Sequence, residues 1–423
     1  MRRRNIRIKV RLHQGGGELR FDADGVKPLE IDCHYPENHF ADKRRPFFEA
    51  LDNARKCLSG DLVVNEYDSV LRAFQEVLAK GRVFLAEISG NSYGEPSLPQ
   101  IEEFFRQAMP GWCSPGDPLK SVEEPPTVEL ESSPAETIPW EFLPVFDTSN
   151  VSNCRSAEDL ERIAQRFLGF SAVVRRRFPW QRVPTNVYLD NENGMNVKLF
   201  HHVDLSGIGS EADFSRQNYP QIRLDGPWPD RELAPEEIVR MLAWHLWHSD
   251  TNFDGQKSEK HDHVHHFACH CEFVPHGSAE TCLILAHAPE LSQRITLDDL
   301  KHRFLVEQWA PVDKAIRPLV FLNACESAVL DNRGIAPFPD FFLTDLGSRA
   351  FLGAEAKVPV KFAPAFAQSV YGHLFRGFPL GHAVYLAKWE FLRKFRNPLG
   401  ILYTVYGSTD LRLRRPATIV NVL

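Results

Sequence analysis

The chain has 423 residues, 43% of them hydrophobic and 25% charged, with a net charge of −7. At roughly 100–200 residues per domain, that length suggests two or three domains, or one large core with an appendage, and it is enough to bury a core without disulfide or metal staples. The acidic balance gives no basic footprint for nucleic acid. The longest apolar runs are strand-sized, so no membrane span is expected, and MRRRNIRIKV lacks the apolar stretch of a signal peptide. Without such a signal, the eight cysteines read as reduced thiols of a cytoplasmic protein.

In chain order, NIRIKVRLHQGGGELRFD reads as a strand, a turn at Gly15–Gly17 and a second strand. Pro46 to Lys80 has helical spacing, at Phe47, Leu51 and Ala54 and then at Val70, Leu71, Phe74 and Leu78. Val83 to Ile88 reads as a short buried strand, and a helix is predicted around Ile101 to Ala108. Pro110, Pro115, Pro118, Pro125, Pro126 and Pro134 break any regular element up to Thr137, which marks a boundary or a long surface connection. The expected organisation is an N-terminal α/β region over 1–112, a Pro-rich connection over 113–137 and a main domain over 138–423. IPWEFLPVF, around Pro139-Trp140, is apolar enough to dock on a core.

The second part alternates strand and helix signals. NVYLD and NVKLFHHVDL read as strands. Pro235 to His248 reads as a helix with an acidic first turn at Glu236 and Glu237. HVHHFACHCEF and TCLILAH are strand candidates, and a helix from Leu297 to Phe304 starts at a cap, Thr296. PLVFLNAC is a strongly apolar strand. A helical stretch from near Phe338 precedes the strand AFLGAE. Helices over Ala363–Phe375 and Gly381–Phe395 precede a last strand, ILYTVYG. The alternation predicts an α/β fold with a mainly parallel sheet flanked by helices. No internal repeat is apparent.

Two strand ends carry chemistry. HVHHFACH ends in His270 and PLVFLNAC ends in Cys325. The carboxyl ends of parallel strands form the crevice where ligands bind, so the two side chains can meet there. A thiol near its usual pKa of about 8.5 is mostly protonated at neutral pH. A neighbouring imidazole can take that proton, and the thiolate then attacks a carbonyl. The oxyanion needs two backbone donors, for which the amides of Cys271 and Cys325 are candidates. The same residues also read as a buried core cysteine and a strand-edge histidine.

The strings HFACHCEF, ITLDDL, PLVFLNACESA, RAFLGAE, FRGFPLGHAVYLAK and NPLGILYTVYG, in this order, resemble the CHAT domain, the bacterial caspase-like peptidase family related to separase and the caspases. IPWEFLP resembles that family's Pro-Trp-Glu segment. The resemblance covers roughly Lys120 to Leu413. It implies a caspase-like fold, a Cys325 nucleophile, a His270 general base, a protein substrate, an activating protein partner and no metal or organic cofactor. It also implies an effector role in bacterial stress, cell-death or antiphage pathways. Most relatives carry Gly after the histidine, and Cys271 stands there in this chain. A regulatory Cys271–Cys325 link is an alternative to simple catalysis, as is an inactive scaffold that binds partners. The resemblance also aligns AFLGAE with the peptide-binding strand, so Glu355 is a candidate for recognising a basic side chain. The competing expectation for Glu355 is a solvated group or a pair with Lys357. The loop Ala328 to Pro339 is either an ordinary surface loop or a cleavable connection.

Three other signals are weaker. Gly90-Asn91-Ser92-Tyr93-Gly94 fits a serine-hydrolase elbow, but Pro96 and Pro99 prevent the helix that should follow. Gly207-Ile208-Gly209-Ser210-Glu211-Ala212 resembles a dinucleotide fingerprint, but the strand before it is polar. His261, His263, His265, His266 and His270 with Cys269 and Cys271 suggest zinc, yet one strand would present the cysteines and His266/His270 on opposite faces. His245 and His248 are expected at the surface.

Overall fold

The structure, a computed structural model, describes residues 5–13, 16–34, 39–57, 62–64, 67–90, 97–110, 125–132, 138–146, 148, 156–181, 186–190, 194–205, 208–247, 262–272, 281–286, 288, 292–307, 317–324 and 337–414. The chain forms two compact units. One comprises Met1–Trp180, Asn332–Ile335 and Tyr385–Thr404, and the other Gln181–Asp331, Ala336–Val384 and Val405–Leu423.

In the first unit, alternating residues build a half-buried sheet. β1 (Asn5–His13), β2 (Gly16–Ala23) and β3 (Val26–His34) form an antiparallel meander. Ile6, Ile8, Val10, Leu19, Phe21 and Ile31 are buried, and the charged residues between them take the other face, as a period of two requires. α1 (His39–Cys57), α2 (Tyr67–Ile88) and α3 (Leu98–Ala108) follow. Val83–Ile88 is therefore the end of α2 and not a strand. Its buried Phe84, Leu85 and Ile88 continue the spacing of Val70, Phe74 and Val77, whereas a short apolar run has no period of its own. On α3, Phe104 and Phe105 pack 5.6 and 6.2 Å from the Phe21 ring.

The proline-rich stretch also differs from expectation, because β4 (Thr127–Glu131) follows Pro125-Pro126 directly and pairs parallel with β1. Proline is tolerated at the start of a strand, and Val128 and Leu130 alternate inward. Trp140, Phe142, Leu143, Val145 and Phe146 of IPWEFLPVF are buried around a 3-10 turn. α4 (Ala157–Ala164) begins with a capping box in which the Asp159 amide donates to Ser156 Oγ and the Ser156 amide donates to the Asp159 carboxylate. α5 (Leu168–Ser171) is one turn, and β5 (Val173–Arg177) pairs parallel with β4.

The second unit alternates β6 (Met195–His201), α6 (Ile208–Asn218), β7 (Ile222–Trp228), α7 (Pro235–Trp247) and β8 (Val264–Ala268). After a bend at Cys269 come β9 (His270–Glu272), β10 (Cys282–Leu285) and β11 (Gln293–Thr296), an antiparallel sheet of order β11-β10-β9. HVHHFACHCEF is thus two strands in two sheets and not one. α8 (Leu297–Glu307) is capped as expected, with the Asp299 amide donating to Thr296 Oγ1 at 3.0 Å. β12 (Leu319–Leu322), α9 (Pro337–Asp340), a π-helical turn at Phe341–Asp345, β13 (Ala350–Ala354) and α10 (Phe362–Phe375) follow. α11 (Leu380–Phe395) and β14 (Tyr403–Gly407) each contain residues of both units.

The main sheet of this unit has the order β13-β12-β8-β6-β7, with every neighbouring pair parallel. β6, β8, β12 and β13 are buried along their whole length. That is the signature of a parallel sheet covered on both faces. The expected mixed α/β fold with a mainly parallel sheet flanked by helices is present. NVYLD is not a strand and makes one isolated bridge, Tyr188 to Arg412. No helix among the described residues is long and apolar enough to cross a membrane.

Candidate active site

β8 and β12 are parallel neighbours whose ladder ends at the pair Phe267 and Leu322. The Asn323 amide donates to the Phe267 carbonyl at 2.9 Å, and Asn323 Nδ2 donates to the Ala363 carbonyl of α10 at 3.2 Å. The two strands therefore leave the sheet side by side. His270 lies three residues beyond Phe267 and opens β9, where it is half-buried. Cys325 lies three positions beyond Leu322 in sequence, outside the described residues.

Sequence reasoning overlooked a second histidine at this end of the sheet. His202 follows β6, and its amide donates to the Ala268 carbonyl at 3.0 Å. The Val203 amide donates to the Ala286 carbonyl at 3.1 Å, so three chain segments meet there. The His202 and His270 rings lie 4.7 Å apart, edge to face, with an interplanar angle of 70°. The Asp204 amide donates to His202 Nδ1 at 3.3 Å, and Nε2 lies 2.9 Å from Ser292 Oγ. Burial, and next the neighbouring His270, push the His202 pKa below its ordinary value. The strand-end argument that selected His270 applies equally to the histidines of NVKLFHHVDL.

Cys271 is buried and pairs with Leu283, between the pairs His270–Ile284 and Glu272–Cys282. Burial raises the Cys282 thiol pKa despite the charge of Arg294. Glu355, just past β13, is 5% exposed. It is therefore not the solvated group that its position at a strand end suggested.

The remaining motifs come apart. Ser92, Gly207, His248, His261 and residues 328–336 of the Ala328–Pro339 loop lie outside the described residues. The strand before Gly207 is β6, which is buried along its length although it carries Asn196, Lys198 and His201. Each described histidine of the cluster has its own surroundings. The Asn196 amide donates to His263 Nδ1 at 2.9 Å, His265 Nε2 lies 3.4 Å from Asp262, and His266 Nδ1 lies 2.9 Å from the Tyr371 hydroxyl. Among the described residues, no three His, Cys, Asp or Glu side chains are grouped to hold a metal. His245 is buried and not at the surface. Its Nδ1 lies 3.0 Å from Lys198 Nζ, and burial pushes its pKa well below the usual value.

A match to the CHAT domain family spans residues 230–398. Two solved structures of the Saccharomyces cerevisiae separase–securin complex are similar to the chain. The one at 2.6 Å has a TM-score of 0.43 at 11% identity, and the one at 3.0 Å has 0.40 at 10% identity. Each alignment covers 95% of this chain but 30% of the separase–securin structure's chain. No curated protein matches.

Proposed function

With a CHAT domain match across residues 230–398 as premise, we propose that the chain is a caspase-like cysteine endopeptidase acting on a partner protein. The observation that carries this reading is the register of β8 and β12. His270 and Cys325 stand the same number of residues beyond the last matched pair of two adjacent parallel strands. In the proposed reaction His270 accepts the Cys325 thiol proton, and the thiolate adds to the peptide carbonyl. The amides of Cys271 and Cys325 receive the oxyanion. On collapse the C–N bond breaks and His270 returns the proton to the leaving amine. Water, deprotonated by His270, then hydrolyses the thioester. These steps require no metal or organic cofactor.

Glu355 supports a preference for a basic side chain before the scissile bond, because a buried carboxylate gains most from an opposite charge brought into its low-dielectric surroundings. The reading assigns the peptidase to residues 138–423, with the signal sensed either by residues 1–112 or by a separate partner. The biological setting that fits is a cytoplasmic bacterial stress, cell-death or antiphage effector.

The test is cleavage of a diverse peptide library by wild type, Cys325→Ala and Glu355→Ala, with and without the proteins encoded beside it. Cleavage after Arg or Lys by wild type, abolished in Cys325→Ala and losing its basic preference in Glu355→Ala, is the expected result. Equal cleavage by wild type and Cys325→Ala would refute the nucleophile. No cleavage under any condition would favour a binding scaffold, for which Cys271 in the usual glycine position is the supporting feature.

A further inference from the structure

We propose that His202 is a positioning residue for His270, a role that rests on the peptidase reading above. A catalytic imidazole is ordinarily oriented by a carboxylate on its far nitrogen. Among the described residues, no hydrogen bond reaches the His270 imidazole, and its ring packs against that of His202, at 4.7 Å. His270 also stands on a short strand immediately after a bend and is half-buried. A ring on such a strand has several rotamers open to it unless packing selects one.

His202 is suited to be the wall that prevents this. Its backbone is anchored by the Ala268 carbonyl, and the residues flanking it bond to Ala286, at 3.3 Å from the Ala286 amide to the His201 carbonyl and 3.1 Å from the Val203 amide to the Ala286 carbonyl. Its ring is anchored at both nitrogens. Because Nδ1 accepts the Asp204 amide, the proton of the neutral ring sits on Nε2 and is donated to Ser292 Oγ. The ring cannot turn without breaking both bonds. It is 3% exposed, and burial, followed by the charge of His270, favours its neutral form. A neutral His202 accommodates the imidazolium that forms when His270 takes the thiol proton, whereas a charged one would oppose it.

The test combines kinetics with a readout that does not depend on cleavage. In steady-state assays on a peptide cut by the wild type, His202→Ala should lower kcat by about ten- to a hundredfold, the range set by misorientation of a reacting group, with KM changed by less than about twofold. His202→Phe should recover most of that loss, because it refills the same wall. Ser292→Ala should give a smaller loss in the same sense. In Cys325→Ala protein, the His270 ring signals in 1H–15N NMR should change from one conformer to an averaged set when His202→Ala is added. Unchanged kcat and unchanged His270 signals in His202→Ala would overturn the proposal. Equal loss in His202→Ala and His202→Phe with a raised KM would also overturn it, as the mark of a structural residue. If Cys325→Ala proves as active as wild type, the peptidase reading fails, and the NMR comparison still decides whether His202 orients His270.

Discussion

Glu141, in the IPWEFLP segment, is buried and accepts from Arg176 Nε at 3.0 Å, from Arg176 Nη2 and from the Thr404 hydroxyl. Burial alone would raise its pKa, but the charge and hydrogen bonds of Arg176 outweigh it and hold the carboxyl below its ordinary range. The carboxylate of a buried pair cannot be removed cheaply, because the guanidinium left behind is neither solvated nor neutralised. Glu141→Gln should destabilise the protein by about 3–5 kcal/mol, as expected for breaking a buried ion pair. Urea unfolding would measure this, and a change within about 0.5 kcal/mol, the range of an ordinary surface substitution, would refute the assignment. Because the native pKa is depressed, the stabilisation is complete above the unfolded carboxylate value and is lost as pH falls through the native one. The docking of this segment was legible from its apolar residues, but the partner was not. Only the alternation of β5 shows that Arg176 turns inward while Arg175 and Arg177 meet Glu129 at 3.6 Å on the other face.

At the scale of elements, periodicity over many residues was legible and short apolar runs were not. α3, α7 and α10 lie where helices were predicted, and the spacing read over Pro46–Lys80 belongs to α1 and α2. Val83–Ile88 and HVHHFACHCEF were misread because a run of a few apolar residues fits either a helix or a strand, and gives no sign of a bend such as that at Cys269. β4 was hidden by the prolines before it. His245 on α7 was expected outside because a histidine near a helix end reads as polar, yet it joins a charged row beneath that helix. Lys198 of β6 stands in register with His265 of β8 and Asp225 of β7. Its Nζ lies 3.0 Å from His245 Nδ1, 3.1 Å from Asp225 and 3.3 Å from Asp262. Lys198 is 3% exposed and Asp262 8%, so their attraction is little screened. Lys198→Met should cost about 3–5 kcal/mol, because Asp262 is left buried without its cation. Adding Asp262→Asn should return part of that loss. Denaturant unfolding of the two single variants and the double variant measures the coupling, and strictly additive losses would show that the row does not act as a unit.

Across the whole chain, the parallel α/β alternation was legible because β12 and β13 are continuously apolar and strand signals alternate with helical ones. Strand ends were the signal that made His270 and Cys325 candidates, and the same signal was available for His202. Buried titratable groups were not legible, and together they set how stability depends on pH. Burial lowers the pKa of His202, His245 and His265. For each of these, the unfolded form takes up a proton first, at about pH 6.5. Their contribution is therefore complete above that value and declines as pH falls below it. Glu141 adds a second loss further down, in the carboxylate range, and Asp340, whose carboxyl burial pushes up, opposes it there. On the alkaline side burial pushes Cys33 up to about 12 and raises Cys282, Tyr219 and Tyr385. The unfolded thiols ionise from about pH 8.5, so the stability held by these groups is lost as pH rises beyond that. The melting temperature should thus be nearly level between about pH 7 and 8.5 and fall on both sides, with the acid decline starting near pH 6.5, well above the carboxylate range. Scanning calorimetry across this range is the measurement. A melting temperature that holds steady from about pH 7 to 5 and falls only in the carboxylate range would show that the three histidines are not held neutral by the fold.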